Sequence, residues 1–115
     1  MIHARFSVVR VPFPFTDRQI QKRRPAVVLS TPKFQRNSGH LLLAMVTSAA
    51  QSAWPLDWAI QDLTPTGLRH SCLIRAKLFT LDERLCLGEL GRLGTADQEG
   101  LCRQLSALLD DLQPG

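Results

Sequence analysis

The sequence predicts a mainly β fold, a small and strongly bent barrel that is followed by one C-terminal α-helix. Short runs of β-branched and apolar residues recur along residues 6–93, and Pro, Gly, Asn and Asp separate them. Leucines then recur at intervals of three and four residues, which is the spacing of one helix face. With 115 residues the chain can bury a core without disulfides or a metal, so we expect a single domain over residues 1–115.

The first predicted strands lie in the N-terminal third of the chain. In residues 6–15, Val9 and Val11 alternate with a charged residue, and two prolines mark the end of the strand or the edge of a sheet. Residues 16–24 are polar and predict a loop. Residues 25–31 form a β-branched run, which we expect to be a strand buried on both faces.

The middle of the chain continues the pattern of strands and connections. Residues 32–39 predict a turn-rich connection, and residues 40–48 predict a third strand. A short strand is expected near residues 58–60 within a mixed region. Residues 68–81 predict a long, bent strand, and residues 82–93 predict a short strand or a turn punctuated by glycines.

The C-terminal segment has the signals of an amphipathic helix. Thr95 is the predicted N-cap and Gln98 stands three residues later, which is the pattern of a capping box. Asp97 and Glu99 in the first turn suit the helix dipole. The leucines expected on the buried face of this helix are Leu101, Leu105, Leu108 and Leu112.

The positive charge is concentrated near the N-terminus. Residues 1–40 hold eight Lys or Arg and one acidic residue, a balance of +7, whereas residues 41–115 carry −3, for a net charge of +4. A basic half of this kind suits a polyanion such as nucleic acid. Eleven of the 14 cations are Arg, whose planar fork grips phosphate with two hydrogen bonds. Arg-rich codon usage in a GC-rich genome accounts for the same bias equally well.

Cysteine usage and hydropathy indicate a reducing compartment. Cys72, Cys86 and Cys102 form no C-x-x-C pair, so we expect each to be a small buried apolar residue. The N-terminus lacks the apolar core of a signal peptide, and no apolar run approaches the roughly 20 residues of a membrane span. We therefore expect a soluble cytoplasmic protein with no membrane partner.

Metal and cofactor chemistry finds little support in the sequence. His3, His40 and His70 are far apart and lack the spacing of metal ligands. A G-x-S-x-G motif and a glycine-rich phosphate loop are both missing. We expect no metal site and no cofactor.

What remains is a basic stretch followed by hydroxyl groups at strand ends. These residues are Lys22, Arg23 and Arg24, with Thr16, Thr47 and Ser48. RNA cleavage needs no metal when the 2′-hydroxyl of the substrate attacks the neighbouring phosphorus. The protein then stabilises the charge of the transition state and assists proton transfer to and from oxygen, and Arg and hydroxyl groups suit these tasks. Such residues also occur in many inert domains, so the pattern alone leaves the function open.

Four motifs give a more specific indication. The segments VVRVPFPFTD (8–17), KRRPAVVLS (22–30), AMVTS (44–48) and SCLIRAKLFTLDERLCLGELGRL (71–93) resemble the MazF/PemK family of toxin endoribonucleases in order and spacing. The resemblance implies an SH3-like barrel with a terminal helix that acts as a homodimer. It also implies metal-independent, sequence-selective cleavage of single-stranded RNA such as mRNA, with 2′,3′-cyclic phosphate and 5′-hydroxyl ends. The implied protein partner is an antitoxin whose disordered tail covers the RNA groove.

The resemblance also implies roles for individual residues. The family's catalytic arginine, which precedes the proline that opens the second strand, corresponds to Arg24. Its catalytic threonine, near the end of the third strand, corresponds to Thr47. The residues implied to bind the substrate are Phe15, Thr16, Lys22, Arg23 and Ser48. Phe15 could equally be a core aromatic.

The sequence departs from the family pattern at two places. Relatives usually begin the first strand with Gly-Asp, where this chain has Phe6 and Ser7, so we expect a different backbone path or a bulky ring near the groove. Some relatives place an Arg shortly before an Asp in the long strand. Here the acid is Asp82, and its cation would have to be Lys77 or Arg75.

Two alternative functions remain open. A non-catalytic barrel that binds RNA or an antitoxin is consistent with the lost Gly-Asp pair. A CcdB-like gyrase inhibitor shares the fold, but the chain ends in DDLQPG without the aromatic residue on which that action depends.

We expect a homodimer that covers exposed strand edges and leftover apolar residues. Those residues are Leu41–Leu43, Leu85, Leu87 and Leu90.

Overall fold

The computed structural model describes residues 1–12, 22–51 and 53–115. Its strands are β1 (Ser7–Pro12), β2 (Arg23–Val28), β3 (His40–Ser48), β4 (Trp58–Ala59), β5 (Cys72–Asp82) and β6 (Gly88–Arg92). Its helices are α1 (Pro32–Ser38) and α2 (Thr95–Leu108), and short 3-10 turns lie at Thr64–Thr66 and Glu83–Leu85. The predicted combination of a mainly β architecture and a C-terminal helix is confirmed.

The described strands form one antiparallel sheet in the order β4–β5–β3–β2–β1–β6. β5 pairs along the whole length of β3, from Cys72 opposite Ser48 to Asp82 opposite His40. The register shifts between Ala44 and Met45, and such a bulge bends the strands and increases their twist. The sheet therefore curves into a half-barrel, and the expectation of a long, bent strand is confirmed.

The two faces of the sheet carry separate apolar clusters, because side chains alternate along each strand. The inner cluster lies on one face and consists of Val9, Val11, Ala26, Val28, Leu41, Leu43, Met45, Phe79 and Leu81. The outer cluster faces α2 and β4 and consists of Val8, Val27, Ala44, Val46, Ile60, Ile74, Leu93 and Leu101. Both faces of β2 are buried over Ala26–Val28, as its β-branched run predicted.

The strand predictions are confirmed more closely than the predicted connections. β3 has the predicted bounds, and the short strand expected near residues 58–60 is β4. The predicted loop over 16–24 is wrong at its end, because β2 begins at Arg23 and includes Arg24. Both residues pair with β1, where they stand opposite Pro12 and Val11.

The turn-rich connection predicted at 32–39 is wrong, because this segment contains helix α1. The Thr31 side chain accepts a hydrogen bond from the Phe34 N–H at 3.1 Å, and proline occupies the first helical position. Gly39 ends the helix with φ 71, and its N–H donates to the Gln35 carbonyl. A proline at the start and a glycine at the end are therefore helix caps in this segment.

The start of α2 differs from the predicted capping box. Gly94 is the N-cap and makes no side-chain cap bond, so the assignment of Thr95 is wrong. The side chain of Gln98 instead donates to the Leu93 carbonyl at 2.8 Å. The predicted leucine face is confirmed for its first half, where Leu101 is buried. It is wrong for the second half, because Leu112 is 78% exposed and lies beyond the helix.

A clasp formed by Trp58, Asp97 and Gly100 attaches α2 to β4. Asp97 is fully buried and accepts hydrogen bonds from Trp58 Nε1 at 2.9 Å and from the backbone N–H groups of Gln61 and Asp62 at 2.8 and 3.0 Å. A Cβ at Gly100 would lie 2.1 Å from a carbon of the Trp58 ring, so the close packing requires glycine. Asp97 therefore does more than complement the helix dipole, because it satisfies three donors outside α2.

Phe6, the first of the two residues at which we expected a different backbone path or a bulky ring near the groove, has an unusual backbone conformation. Its φ of 72 lies in the left-handed region that favours glycine. A bulky residue adopts this conformation at a cost of about 1–2 kcal/mol. The ring is partly buried against the outer cluster and lines a cavity beside Leu29 and Leu105. Ser7, the second residue, is buried in β1.

The surface differs from two expectations. Leu41 and Leu43 are fully buried in the inner cluster, so they are not the leftover apolar residues that were predicted for a dimer interface. Leu85 and Leu87 are 50% and 48% exposed and remain candidates. Cys102 is exposed, so the prediction that every cysteine is buried is wrong for this residue.

Candidate functional site

Strand registers set Arg24 and Thr47 on one face of the sheet. Ala26 stands opposite Met45 in the β2–β3 ladder, and that register extended by two residues would set Arg24 opposite Thr47. Thr47 shares the face of Met45 because side chains alternate along a strand, and Met45 belongs to the inner cluster. Arg24 pairs with Val11 of the inner cluster, and paired residues point to the same face. Both side chains therefore belong to the face of the inner cluster.

Arg24 and Thr47 are more buried than the other candidate residues nearby. Thr47 is 7% exposed and Arg24 is partly buried, whereas Lys22, Arg23 and Ser48 are exposed. Arg23 and Ser48 neighbour Arg24 and Thr47 in their strands and therefore point to the opposite face. The Ser48 hydroxyl accepts a hydrogen bond from the Ala50 N–H at 3.2 Å. The predicted residues Phe15 and Thr16 lie outside the described residues.

A second group of side chains extends the same face across β5. Arg75 stands opposite Met45, so its side chain shares the face of Thr47. Its Nε and Nη2 donate to Oδ1 and Oδ2 of Asp57 at 3.1 and 3.0 Å. The side chains of this two-pronged ion pair are only 7% and 9% exposed.

Trp54 covers this ion pair from the solvent side. The Arg75 guanidinium carbon lies 4.9 Å from the centroid of the Trp54 ring, and Lys77 Nζ lies 5.9 Å from it. The Trp54 backbone N–H donates to Asp57 Oδ2 at 2.8 Å, which fixes the turn that carries the ring. The residue is 43% exposed, so an aromatic surface faces solvent beside Arg75.

The electrostatics of Asp57 follow from these contacts. Burial alone would raise the pKa of Asp57, but the hydrogen bonds from Arg75 and from the Trp54 N–H, together with the Arg75 charge, hold it below its usual value of 3.8. Asp57 is therefore ionised at neutral pH, and the buried guanidinium has a permanent counter-charge.

The structure corrects the predicted partner of Asp82. Asp82 pairs with Arg84, whose Nη2 lies 2.6 Å from Oδ2, and not with Lys77 or Arg75. Sequence reasoning did not identify Trp54 and Asp57 as site residues. Asp57 and Arg75 are 18 residues apart and join through an irregular connection, so no periodic pattern relates them. The exposed Trp54 in a Pro-containing turn was the available signal.

Within residues 1–12, 22–51 and 53–115, no three His, Cys, Asp or Glu side chains are grouped so that they could hold a metal ion. No helix in the described part of the chain is long and apolar enough to cross a membrane.

The face of the inner cluster can offer an arginine and a hydroxyl to a phosphate. The Trp54 ring and Lys77 lie close to Arg75 on the same side.

Comparisons with known proteins agree on one family. The family model for the PemK-like, MazF-like toxin of type II toxin–antitoxin systems matches residues 4–109. No curated protein matches the chain. The solved structure of MazE–MazF (Form-III) from Deinococcus radiodurans is similar, with a TM-score of 0.76, 22% identity, and 95% and 97% of the two chains covered.

Two mycobacterial structures are also similar. An endoribonuclease from a mycobacterial species, in complex with its cognate antitoxin, has a TM-score of 0.73 at 16% identity, with 98% of each chain covered. The Mycobacterium tuberculosis toxin MazF-mt6 has a TM-score of 0.72 at 12% identity, with 90% and 96% covered. At these identities the likeness to each structure concerns the fold.

Proposed function

Because the chain belongs to the PemK-like, MazF-like toxin family of type II toxin–antitoxin systems, we propose that it is an endoribonuclease that cleaves single-stranded RNA such as mRNA. The observation that carries this proposal is the β2–β3 register, which, extended by two residues beyond the Ala26–Met45 pair, would set Arg24 opposite Thr47 on the face of the inner cluster. Two similar mycobacterial structures are of endoribonucleases, which supports the same activity.

The proposed reaction is an internal transfer that needs no metal. The 2′-oxygen of the substrate attacks the adjacent phosphorus and loses its proton, and the 5′-oxygen leaves and gains one. The products are a 2′,3′-cyclic phosphate and a 5′-hydroxyl. Arg24 stabilises the extra negative charge on the phosphorus oxygens in the transition state, and the Thr47 hydroxyl orients the phosphate.

The sheet keeps Arg24 still, which this role requires. A charge stabilises a transition state most when it is already in place. Pro25 fixes its own φ and biases Arg24 to the extended conformation, and Arg24 is paired with Val11 across the ladder. Only the end of the arginine side chain then has to adjust to the substrate.

The surrounding residues would hold the rest of the RNA. Lys22 and Arg23 are exposed at the start of β2, and we assign them, with Ser48 and the undescribed Phe15 and Thr16, to the flanking nucleotides. Trp54 offers a ring on which a base can stack, which is a sequence-tolerant contact of about 1–3 kcal/mol per base.

We further propose that the protein partner is a cognate antitoxin and that the toxin is a cytoplasmic homodimer. Similar structures from Deinococcus radiodurans are MazE–MazF complexes, which supports the antitoxin. Leu85 and Leu87, about half exposed in the connection from β5 to β6, support an interface between copies. Light scattering that gives the 12.8 kDa mass of one chain at micromolar concentration would contradict the dimer.

The test is cleavage of a labelled unstructured RNA in EDTA, with the product ends analysed. Arg24→Ala should lower the cleavage rate about a hundredfold or more, and Arg24→Lys should restore little of it. Arg36→Ala is the matched control, because Arg36 is an exposed arginine of α1, which precedes the His40 end of β3, whereas Thr47 lies near the other end of that strand. Thr47→Ser should cleave faster than Thr47→Val, because only Ser retains a hydroxyl.

Three results would contradict the proposal. Full cleavage by the Arg24→Ala protein would remove Arg24 from the mechanism. Activity that disappears in EDTA would contradict metal independence. RNA binding without any cleavage by the unmodified protein would favour the non-catalytic barrel.

A further inference from the structure

Cys86, His3 and Glu89 meet where the N-terminal segment crosses the connection from β5 to β6. Cys86 Sγ lies 3.5 Å from His3 Nε2, and His3 Nδ1 lies 3.1 Å from Glu89 Oε1. Cys86 is partly buried against the inner cluster, and His3 is 4% exposed. A thiol, an imidazole and a carboxylate are thus arranged in series, an order used to activate nucleophiles.

The partners of His3 determine which ring nitrogen carries the proton. The hydrogen bond from His3 is the main reason that the pKa of Glu89 is held below its usual range, so this carboxylate is ionised and can only accept. Nδ1 is therefore the donor. In the neutral imidazole, Nε2 is then an acceptor that faces the Cys86 thiol.

A buried amide holds His3 in this position. The His3 backbone N–H donates to Gln35 Oε1 at 2.9 Å, and Gln35 of α1 is fully buried. Gln35 Nε2 donates to the Met1 carbonyl at 2.8 Å and to Glu83 Oε2 at 3.0 Å. The backbone from Met1 to His3 is thus held by one buried side chain.

We propose that Cys86 is a base-assisted nucleophilic thiol that reacts with small electrophiles such as a peroxide, with His3 as the base and Glu89 as the group that orients it. This site is independent of the proposed RNA cleavage. Burial raises the pKa of the Cys86 thiol, so the thiol is neutral at pH 7 and depends on a base to become a good nucleophile.

Hydrogen peroxide would oxidise the Cys86 thiol by a two-electron reaction. Sγ bonds to one peroxide oxygen, the O–O bond breaks, and the thiol proton passes to His3 Nε2. The departing hydroxide takes that proton and leaves as water, and His3 returns to its neutral form. The sulfur loses two electrons, which the peroxide gains, and Cys86 becomes a sulfenic acid.

The first test measures each cysteine separately in the full-length chain. The rate of alkylation by iodoacetamide and the yield of dimedone-trapped sulfenic acid after hydrogen peroxide are read by mass spectrometry. His3→Gln should lower both at Cys86 by about a hundredfold, the lower end of the range for general base assistance. Glu89→Gln should lower them less. The exposed Cys102 is the internal control and should be unchanged.

Whether the reaction rate of Cys86 falls or rises distinguishes the loss of the base from a loss of folding. A variant that loosens the fold would expose Cys86 and Cys72, so both would react faster. A slower Cys86 beside an unchanged Cys102 supports the proposal. An unchanged or faster Cys86 in the His3→Gln protein overturns it.

The second test is the pH profile of alkylation. Charged groups that face the site are Glu89 of β6 with its neighbour Arg92, the Met1 amino group, and Glu83 through Gln35. An unassisted thiol reacts about tenfold faster per pH unit below its pKa, because only the thiolate reacts. Between pH 7 and 8 we expect a much flatter profile than this for Cys86. A tenfold rise in the Cys86 rate over that pH unit would overturn the proposal.

Discussion

The two ends of β5 each carry an arginine–aspartate pair, and the pairs differ in environment more than in geometry. At one end Arg75 binds Asp57 with both side chains at least nine-tenths buried. At the other end Arg84 binds Asp82, and the arginine is 85% exposed. In both pairs the arginine holds the pKa of the carboxyl below its usual range, although burial opposes the shift more strongly at Asp57.

The comparison shows that short distances do not by themselves measure stabilisation. Water and salt screen the exposed pair, and holding two mobile side chains costs entropy. The buried pair depends on both partners, because removing one leaves a desolvated charge inside the protein. The buried pair also supports Trp54, so it is structurally tied to the proposed RNA surface.

The largest expected effect comes from breaking the buried pair. Asp57→Ala should lower the free energy of unfolding by about 3–5 kcal/mol, because Arg75 remains buried without its carboxylate. Urea denaturation measures this change. The double variant Asp57→Leu/Arg75→Met should recover most of the loss, since apolar side chains can fill the site. A loss below about 1 kcal/mol in Asp57→Ala would contradict the assigned role.

A smaller effect is expected for RNA binding when the ring above the buried pair is removed. Trp54→Ala should weaken the binding of single-stranded RNA about tenfold, the cost of one stacked base, and should leave the cleavage rate at saturating RNA nearly unchanged. Trp54→Phe retains a ring and should bind more tightly than Trp54→Ala. Equal affinities of the two variants in a fluorescence anisotropy titration would argue against stacking.

The pH dependence of the free energy of unfolding tests whether Asp57 is ionised in the buried pair. The folded-state pKa of Asp57 lies below its usual value of 3.8, so its stabilisation is present above that value and is lost as the pH falls through the folded pKa. The stability gap between the wild-type and Asp57→Asn proteins should therefore narrow below about pH 4. Urea denaturation at pH 7 and pH 3 measures it. A gap of constant size would contradict the ionised pair.

The smallest effect is expected at the exposed end of β5. Arg84→Ala should leave the unfolding midpoint within experimental error in 1 M NaCl, where surface charges are screened. The Asp57 effect should persist in the same buffer. Comparable salt sensitivity of the two variants would show that burial does not distinguish the pairs.

Sequence predicted the strands better than the connections for physical reasons. β3 has an apolar run bounded by polar residues, and its bounds could be predicted without tertiary information. α1 is too short for a hydrophobic period, and only its Thr31, Pro32 and Gly39 caps mark it as a helix. The β2 start at Arg23 depends on pairing with β1, which the local composition does not reveal.

In the candidate site, individual residues could be predicted from the sequence, but their arrangement in space could not. Arg24 and Thr47 were named from motifs, but their common face depends on the register of β2 and β3. The contacts of Asp57 with Arg75 and of His3 with Cys86 join residues 18 and 83 positions apart. Such contacts arise from how irregular segments cross the sheet, and a single sequence carries no periodic signal for them.

The clasp of Trp58, Asp97 and Gly100 also affects how the molecule opens. One carboxylate holds the indole and two backbone amides of the segment after β4, while the ring lies against the helix backbone. Neither side can move away without leaving buried donors or a buried acceptor unsatisfied. In native-state hydrogen exchange, the amides of Gln61 and Asp62 should therefore exchange at the same rate as those of the first turns of α2, as one cooperative unit.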